Sequence, residues 1–116
     1  KTALYSKLTP NQLEAFSALA ASSFEDGELS RMEKELIAIG CAHVLKCPYC
    51  IDYHVNLALD AGATKVAIAE ATWVGIFVAS SSCFGYAKMT TAMLENECDG
   101  DYYKASKIDE KDVLAG

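Results

Sequence analysis

Helix-start signals divide this 116-residue chain, and no strand pattern lies between them. Two signals are a capping residue followed by proline, and two are a serine or threonine before an apolar run; they stand at Thr9, Ser30, Cys47 and Thr64. Proline has no amide hydrogen and a fixed φ, so it is favoured at the first position of a helix. The pattern predicts an all-α fold, an antiparallel helix bundle.

The same signals set the expected helix bounds. The predicted helices run from Pro10 to a turn at 24–27, from Ser30 to about Leu45, from Pro48 to about Ala61, from Thr64 to about Val78, and from about Ser82 to Glu95. Gln12 and Glu33 complete capping boxes with Thr9 and Ser30, and Gly62 is a natural helix stop. A break is predicted at residues 79–82, because the hydroxyls of its three serines compete for backbone hydrogen bonds.

The length suits one domain over residues 1–116. A polar, acidic tail follows at about 96–116. Asp99, Gly100 and Asp101 in this tail resemble part of a calcium-binding loop. The rest of that pattern is missing, so a solvated tail is the better interpretation.

Two thiols and an imidazole share one spacing in the middle of the chain. At about 100° per residue, Cys47, Cys50 and His54 fall on one stripe of a helix. Pro48 makes Cys47 the expected N-cap and Cys50 a first-turn residue, near unpaired amides and the positive end of the helix dipole. This environment favours thiolate, the form that attacks disulfides and peroxides.

A structural zinc site is a competing interpretation, since His43 could join the three motif residues as a fourth ligand. In a continuous helix His43 and His54 would lie about 16 Å apart along the axis, too far to share an ion. A helix break at Pro48 would relax that limit and keeps zinc open. The other three cysteines are expected to be small apolar residues or incidental thiols: Cys41, Cys83 and Cys98.

Glu35 lies in an amphipathic stretch that would pack against the motif helix after a turn at Lys46. Its carboxylate could face His54 and hold the imidazole as a proton acceptor. The neighbouring Glu33 and Lys34 also fit an ordinary solvated charge run at a helix start.

Composition narrows the partners and the compartment. A net charge of −6 and a pI near 4.8 argue against nucleic acid or an anionic membrane. The most apolar stretch, Trp73 to Ala79, is too short to span a bilayer. Five cysteines, an odd number, fit a reducing cytoplasm better than a secreted disulfide framework. The 52% hydrophobic content leaves apolar surface for subunit contacts.

Aromatic and methionine residues recur at helical spacing near the end of the apolar region. They are Phe84, Tyr86, Met89 and Met93. Such a stripe is more often core than a cofactor box. We expect it to line an apolar approach to Cys50 or a subunit interface.

These residues together resemble a known family. The signature Glu-x11-Cys-x2-Cys-x3-His of the alkyl hydroperoxidase D-like proteins, in the carboxymuconolactone decarboxylase superfamily, is matched by Glu35, Cys47, Cys50 and His54. Residues 31–38, 47–54 and 59–64 also read like the family's core, and the resemblance covers about residues 28–95. It implies a helix bundle with the cysteine pair at the start of a central helix.

The resemblance also implies roles. Cys50 would attack the peroxide and become a sulfenic acid, and Cys47 would donate a proton and then close a Cys47–Cys50 disulfide. His54, oriented by Glu35, would form the proton relay. Tyr49 stands where the best-known peroxidases of this type carry a second histidine. Decarboxylase branches of the superfamily lack the cysteine pair, which argues against lactone decarboxylation here.

The leading function hypothesis is therefore a thiol-dependent peroxidase that reduces hydrogen peroxide or organic hydroperoxides without metal, haem or flavin. A dithiol donor, such as a lipoyl-bearing or thioredoxin-like protein, would recycle it, and trimers or hexamers are expected by resemblance. One alternative is a disulfide reductase or redox relay without peroxide turnover. Another is a non-catalytic module that binds a metal or senses redox state.

Overall fold

The computed structural model describes residues 2–95, which form six α-helices and no strand. The helices are α1 (Thr2–Leu8), α2 (Pro10–Ser23), α3 (Arg31–Val44), α4 (Pro48–Asp60), α5 (Lys65–Gly85) and α6 (Ala87–Leu94). α3 packs along both α4 and α5, and the core lies where these three helices meet. The prediction of an all-α fold is confirmed.

The core is small for the number of helices. Ile39, Ala58 and Ala63 form its buried centre, and Ile39 and Glu35 are the largest side chains with almost no exposure. Around that centre pack five half-buried residues: Met32, Leu36, Val55, Ile68 and Ala71. A chain of this length ordinarily buries far more apolar surface, so much of this one's apolar surface is uncovered.

α3 begins with the capping box that the sequence predicts. The Glu33 amide donates to the Ser30 hydroxyl at 3.1 Å, and the Ser30 amide donates to Glu33 Oε1 at 3.0 Å. Asp26 Oδ1 accepts from the Arg31 amide at 2.7 Å. Three bonds to backbone donors therefore fix the start of the helix that carries Glu35.

The turn between α3 and α4 sets the cysteine motif on a helix start. Lys46 adopts φ 53°, a left-handed conformation, and the Cys47 amide donates to the Ala42 carbonyl at 3.0 Å. Cys47 is the extended N-cap and Pro48 the first residue of α4. The predicted turn at Lys46 and the predicted helix start are both present.

α4 ends and α5 begins where the stop residue Gly62 and the capping residue Thr64 predict. Gly62 follows the helix with φ 97°, which a residue with a Cβ rarely adopts. Thr64 then caps α5, its hydroxyl accepting from the Ala67 amide at 3.0 Å. This short connection returns the chain so that α5 lies against α3.

The contact between α3 and α5 is a close backbone approach at two glycines. A Cβ built on Gly75 would lie 2.6 Å from the Gly40 carbonyl oxygen. Real Cβ atoms do not come that close to backbone, so only glycine fits at position 75. The reverse is not true, because a Cβ on Gly40 would lie 3.5 Å from the Ala71 oxygen, an ordinary contact.

The N-terminal prediction is wrong in two details. Residues 2–8 form α1, for which no helix was expected. Thr9 occupies the N-cap position of α2, but its side chain makes no capping bond and donates instead to the Tyr5 carbonyl at 3.2 Å. The cause is α1 itself, since its last turn offers the Thr9 hydroxyl a carbonyl acceptor.

The predicted break at residues 79–82 is also wrong. α5 runs without interruption to Gly85. Ser80 donates its hydroxyl to the Ile76 carbonyl at 3.0 Å and Ser81 to the Val78 carbonyl at 3.1 Å. Hydroxyls bonded back to their own helix do not compete with its amide ladder, so the chain breaks only at Tyr86, before α6.

Because α5 is longer than predicted, the apolar helical region is longer as well. Lys65–Leu94 is a helical stretch that is long and apolar enough, by length and composition alone, to cross a membrane. The prediction that the apolar stretch is too short for a bilayer counted only residues 73–79, whereas the apolar helical stretch extends beyond both of these ends. The aromatic stripe is not core in the single chain either, since Phe84 is 77% exposed and Met93 46% exposed.

The predicted acidic tail at 96–116, with Asp99, Gly100, Asp101 and Cys98, lies outside the described residues. The predicted last helix, Ser82 to Glu95, corresponds to the end of α5 together with α6.

Candidate active site

The two cysteines of the motif lie at the N-terminus of α4 and are joined as a disulfide. Their Cα atoms are 5.3 Å apart, and the Cys50 amide donates to Cys47 Sγ at 3.2 Å. This bond satisfies one of the amides that a helix start leaves unpaired. The first turn of α4 thus supplies a hydrogen bond to the Cys47 sulfur.

This position suits thiolate chemistry once the disulfide is reduced. A sulfur at a helix start gains from backbone amides and from the positive end of the helix dipole. Both cysteines are only partly buried, so a small oxidant or a second thiol can approach them. A buried thiol in an apolar core would have neither property.

His54 and Glu35 form the polar contact next to the cysteines. His54 Nδ1 and Glu35 Oε2 are 2.7 Å apart, and they come from α4 and α3. The Glu35 side chain is 1% exposed and that of His54 is 20% exposed. The contact that the sequence suggested between these residues is therefore present.

The pairing orients the imidazole. A buried carboxylate costs several kcal/mol unless a partner satisfies it, and His54 is that partner. Since Glu35 occupies Nδ1, the other ring nitrogen, Nε2, is the one that can exchange a proton with a reacting group. Cys50 lies one helical turn before His54 on the same stripe of α4, so along the helix the imidazole is nearer to Cys50 than to Cys47.

Two aromatic rings contact the imidazole of His54. Phe24, the C-cap of α2, stacks on the imidazole with ring centroids 5.6 Å apart and planes inclined by 16°. Tyr53 meets it edge-on at 5.1 Å. These contacts fix the plane of the imidazole and partly shield it from water. The hydrogen bond to Glu35 fixes the rotation of the ring.

Sequence reasoning did not place Phe24 or Tyr53 at the site. Tyr53 had a signal, since it immediately precedes His54. Phe24 had only the anomaly of an aromatic residue beside the polar turn Glu25–Gly27. Its contact with His54 bridges 30 residues and depends on how α2 meets α4.

The residues of the alternative zinc site do not gather at the motif. His43 Nδ1 bonds the Ile39 carbonyl of its own helix at 2.8 Å. Within residues 2–95, no three His, Cys, Asp or Glu side chains form a group that could hold a metal ion. Cys41 and Cys83 are free, exposed thiols rather than core residues.

Comparison with known proteins identifies the family of this chain. The model of the carboxymuconolactone decarboxylase family matches residues 10–95. A protein of Paracoccus denitrificans described as "Uncharacterized protein 4 in cox locus" is 41% identical over 87 residues, 75% of this chain and 78% of the relative. An uncharacterized protein of Cupriavidus necator is 29% identical over 86 residues, 74% and 76% of the two chains. No solved structure matches significantly. The chain belongs to the carboxymuconolactone decarboxylase family.

Proposed function

We propose that this protein is a thiol-dependent peroxidase of the alkyl hydroperoxidase D-like type, which reduces hydrogen peroxide or organic hydroperoxides with the Cys47–Cys50 dithiol. The observation that carries the proposal is the buried Glu35 bonded to His54 one helical turn from Cys50. A structural disulfide needs no such proton acceptor beside it. A reactive dithiol needs a proton acceptor nearby, because its thiol must lose a proton to form the thiolate that reacts.

The first step oxidises Cys50. His54 Nε2 accepts the Cys50 proton, and the thiolate attacks the distal oxygen of the hydroperoxide. The S–O bond forms as the O–O bond breaks, and the departing alkoxide or hydroxide takes up a proton from the imidazolium or from Cys47. The products are an alcohol or water and a sulfenic acid on Cys50.

The second step closes the disulfide. Cys47 Sγ attacks the sulfur of the sulfenic acid, an S–S bond forms, and the hydroxyl leaves as water after protonation. In this proposal, the disulfide between Cys47 and Cys50 corresponds to the product of that step. A dithiol donor, such as a lipoyl group or a thioredoxin-like protein, then returns two electrons and two protons by thiol–disulfide exchange.

The two sulfurs are served by different groups, which supports a division of roles. The Cys50 amide bonds Cys47 Sγ, whereas the imidazole lies one helical turn after Cys50 and about two turns after Cys47. Cys50 therefore has the general base, and Cys47 has the amide that stabilises it when a donor thiol displaces it as thiolate.

The exposed surface around the cysteines also supports a second candidate function, that of a disulfide reductase that does not turn over peroxide. Tyr49 lies between the cysteines in sequence and is 84% exposed, so a protein disulfide could dock over the pair. The two functions share the recycling step and differ in whether peroxide oxidises Cys50.

Matched serine variants test the proposal. Reduced Cys47→Ser should react once with peroxide and yield a Cys50 sulfenic acid that a dimedone-type reagent traps, detected as an intact-mass increase. Reduced Cys50→Ser should consume no peroxide through Cys47. Both variants should lack turnover with a dithiol donor, because the cycle needs two thiols.

Opposite labelling, with the sulfenic acid trapped in Cys50→Ser, would assign the attack to Cys47 and overturn the division of roles. Unreactive cysteines in both variants, with the wild-type disulfide still exchanging with small thiols, would replace the peroxidase by the reductase.

A further inference from the structure

The N-terminal pair of helices, residues 2–23, forms an arm with an apolar surface that the rest of the chain does not cover. α1 and α2 contact each other but make no extended contact with α3, α4 or α5. Five large side chains of the arm are each between 60% and 70% exposed: Leu4, Tyr5, Leu8, Phe16 and Leu19. Exposed apolar surface of this extent is typical of a site that contacts another molecule.

A groove between α3 and α5 is uncovered as well. It encloses about 620 Å³ and is almost wholly apolar. Its walls include Ile37, Cys41 and Val44 from α3 and Val74 and Val78 from α5. Four of these five are large apolar residues that are 40% to 63% exposed. The groove could receive apolar side chains along more than two turns of helix.

The arm does not fill the groove of its own chain. Its base is held at the site, where Phe24 stacks on His54 and Asp26 caps α3 at Arg31. At about 100° per residue, Val44 lies on the side of α3 opposite to Glu35. The base of the arm and the groove are therefore on opposite sides of α3.

We propose that the arm of one copy of this chain occupies the α3–α5 groove of a second copy. Five arm side chains with roughly 100 Å² exposed on each cover about 500 Å² on either side of such a contact. The contact then buries about 1,000 Å² in total, the area that a specific interface needs. Every arm and groove is used when the assembly closes by symmetry.

A lipid bilayer is the competing occupant, because α5 and α6 pass the length and composition test for a span. The packing of α3 argues against it. α3 lies against α5 at Gly40 and Gly75 and carries charges such as Glu33 and Lys34. A bilayer around α5 would enclose this charged helix, and charged side chains are costly to place in the hydrocarbon region.

Cys41 provides a native reporter in the groove, since it is an exposed free thiol. In the full-length chain, Phe16→Cys places a thiol on the apolar face of the arm, and Glu14→Cys places one on the opposite face of the same helix. After mild oxidation, non-reducing gels and peptide mass spectrometry would identify disulfides to Cys41. Sedimentation in detergent-free buffer would measure the assembly.

We expect a soluble oligomer. In most of the Phe16→Cys sample, a between-chain disulfide should join the introduced thiol to Cys41, with at least tenfold less cross-link from Glu14→Cys. Phe16→Glu should shift the sedimentation to monomer, and adding Cys41→Ser to Phe16→Cys should remove the cross-link.

A monomer at tens of micromolar would overturn the proposal. An oligomer with equal cross-linking from both positions would also overturn it, as would a chain that is soluble only with detergent or lipid. None of these readouts depends on peroxidase activity.

Discussion

The contact between α3 and α4 and the surface formed by the arm and the groove are built in opposite ways. Between α3 and α4, the chain buries a carboxylate to 1% exposure and gives it a partner at 2.7 Å. On the arm, apolar side chains such as Phe16 remain 70% exposed. The α3–α4 contact is complete within a single chain, whereas the apolar surface of the arm and the groove is left uncovered.

The difference separates the chemistry of the protein from its stability. The residues proposed to react with peroxide are positioned by local caps and by one helix pair. The core centred on Ile39 and Ala58 is small for six helices. Many apolar side chains that could stabilise the fold therefore lie on the surface of the single chain. Changes in the first region should alter reactivity, and changes in the second should alter assembly or stability.

The largest effect is expected from removing the charge of the buried carboxylate. Glu35→Gln keeps the size and a hydrogen-bonding side chain but removes the negative charge that stabilises an imidazolium at His54. The second-order rate constant of Cys50 oxidation should fall by about 10²-fold or more, measured by stopped flow with hydrogen peroxide.

The control for this variant is thermal unfolding of the oxidised protein. Glu35→Gln should leave the fold and the assembly intact, since it also removes a buried charge. An unchanged oxidation rate would contradict the role of Glu35 and would leave Glu35 as a structural partner only.

The next effect tests the junction of the two regions, where α3 meets α5. Gly75→Ala puts a methyl group 2.6 Å from the Gly40 oxygen and should destabilise the fold by about 1–3 kcal/mol. Gly40→Ala is the matched control. Its Cβ meets only ordinary contacts, so it should be neutral or stabilise the helix by up to about 1 kcal/mol. Equal effects in chemical denaturation would show that the close approach is not a determinant of stability.

A smaller effect is expected where the arm touches the site. Phe24→Ala removes the ring stacked on His54, a contact of about 0.5–1.5 kcal/mol, and should slow Cys50 oxidation several-fold and alter its pH profile. Phe24→Tyr keeps the ring and should restore the rate. If Phe24→Tyr and Phe24→Ala behave alike, stacking does not position the imidazole.

The smallest effect concerns the cap of α3. The pKa of Glu33 is lowered from 4.5, first by the bond from the Ser30 amide and then by the bond from its hydroxyl. A lowered pKa in the folded state means that the ionised carboxylate adds stability above pH 4.5, which is lost as the pH falls through the folded value. Wild type should therefore melt slightly above Glu33→Gln at pH 7, and the two should converge in acid. A gap that widens in acid would contradict this sign.

Local rules explain what could be predicted from the sequence. The capping box at Ser30, the helix start at Cys47 and Pro48, and the left-handed Gly62 each depend on a few neighbouring residues, and all three are present. The contact of Glu35 with His54 was also accessible, because each residue lies at a fixed register on a helix whose start was clear.

The misses depend on competition or on distant parts of the chain. Ser80 and Ser81 can break a helix or bond back to it, and the apolar length of α5 favours the second outcome. Phe24 reaches the site only through the path of α2. The exposure of Phe84 is not a local property, since it depends on what covers the single chain.

The most direct test of the central claim is to add hydrogen peroxide to the fully reduced protein at a one-to-one ratio. Peroxide loss, free thiols and intact mass should then be followed together. We expect one peroxide consumed per chain, two thiols lost, and the mass of two hydrogens removed from the peptide that contains Cys47 and Cys50. Intact thiols with peroxide unconsumed would contradict the account.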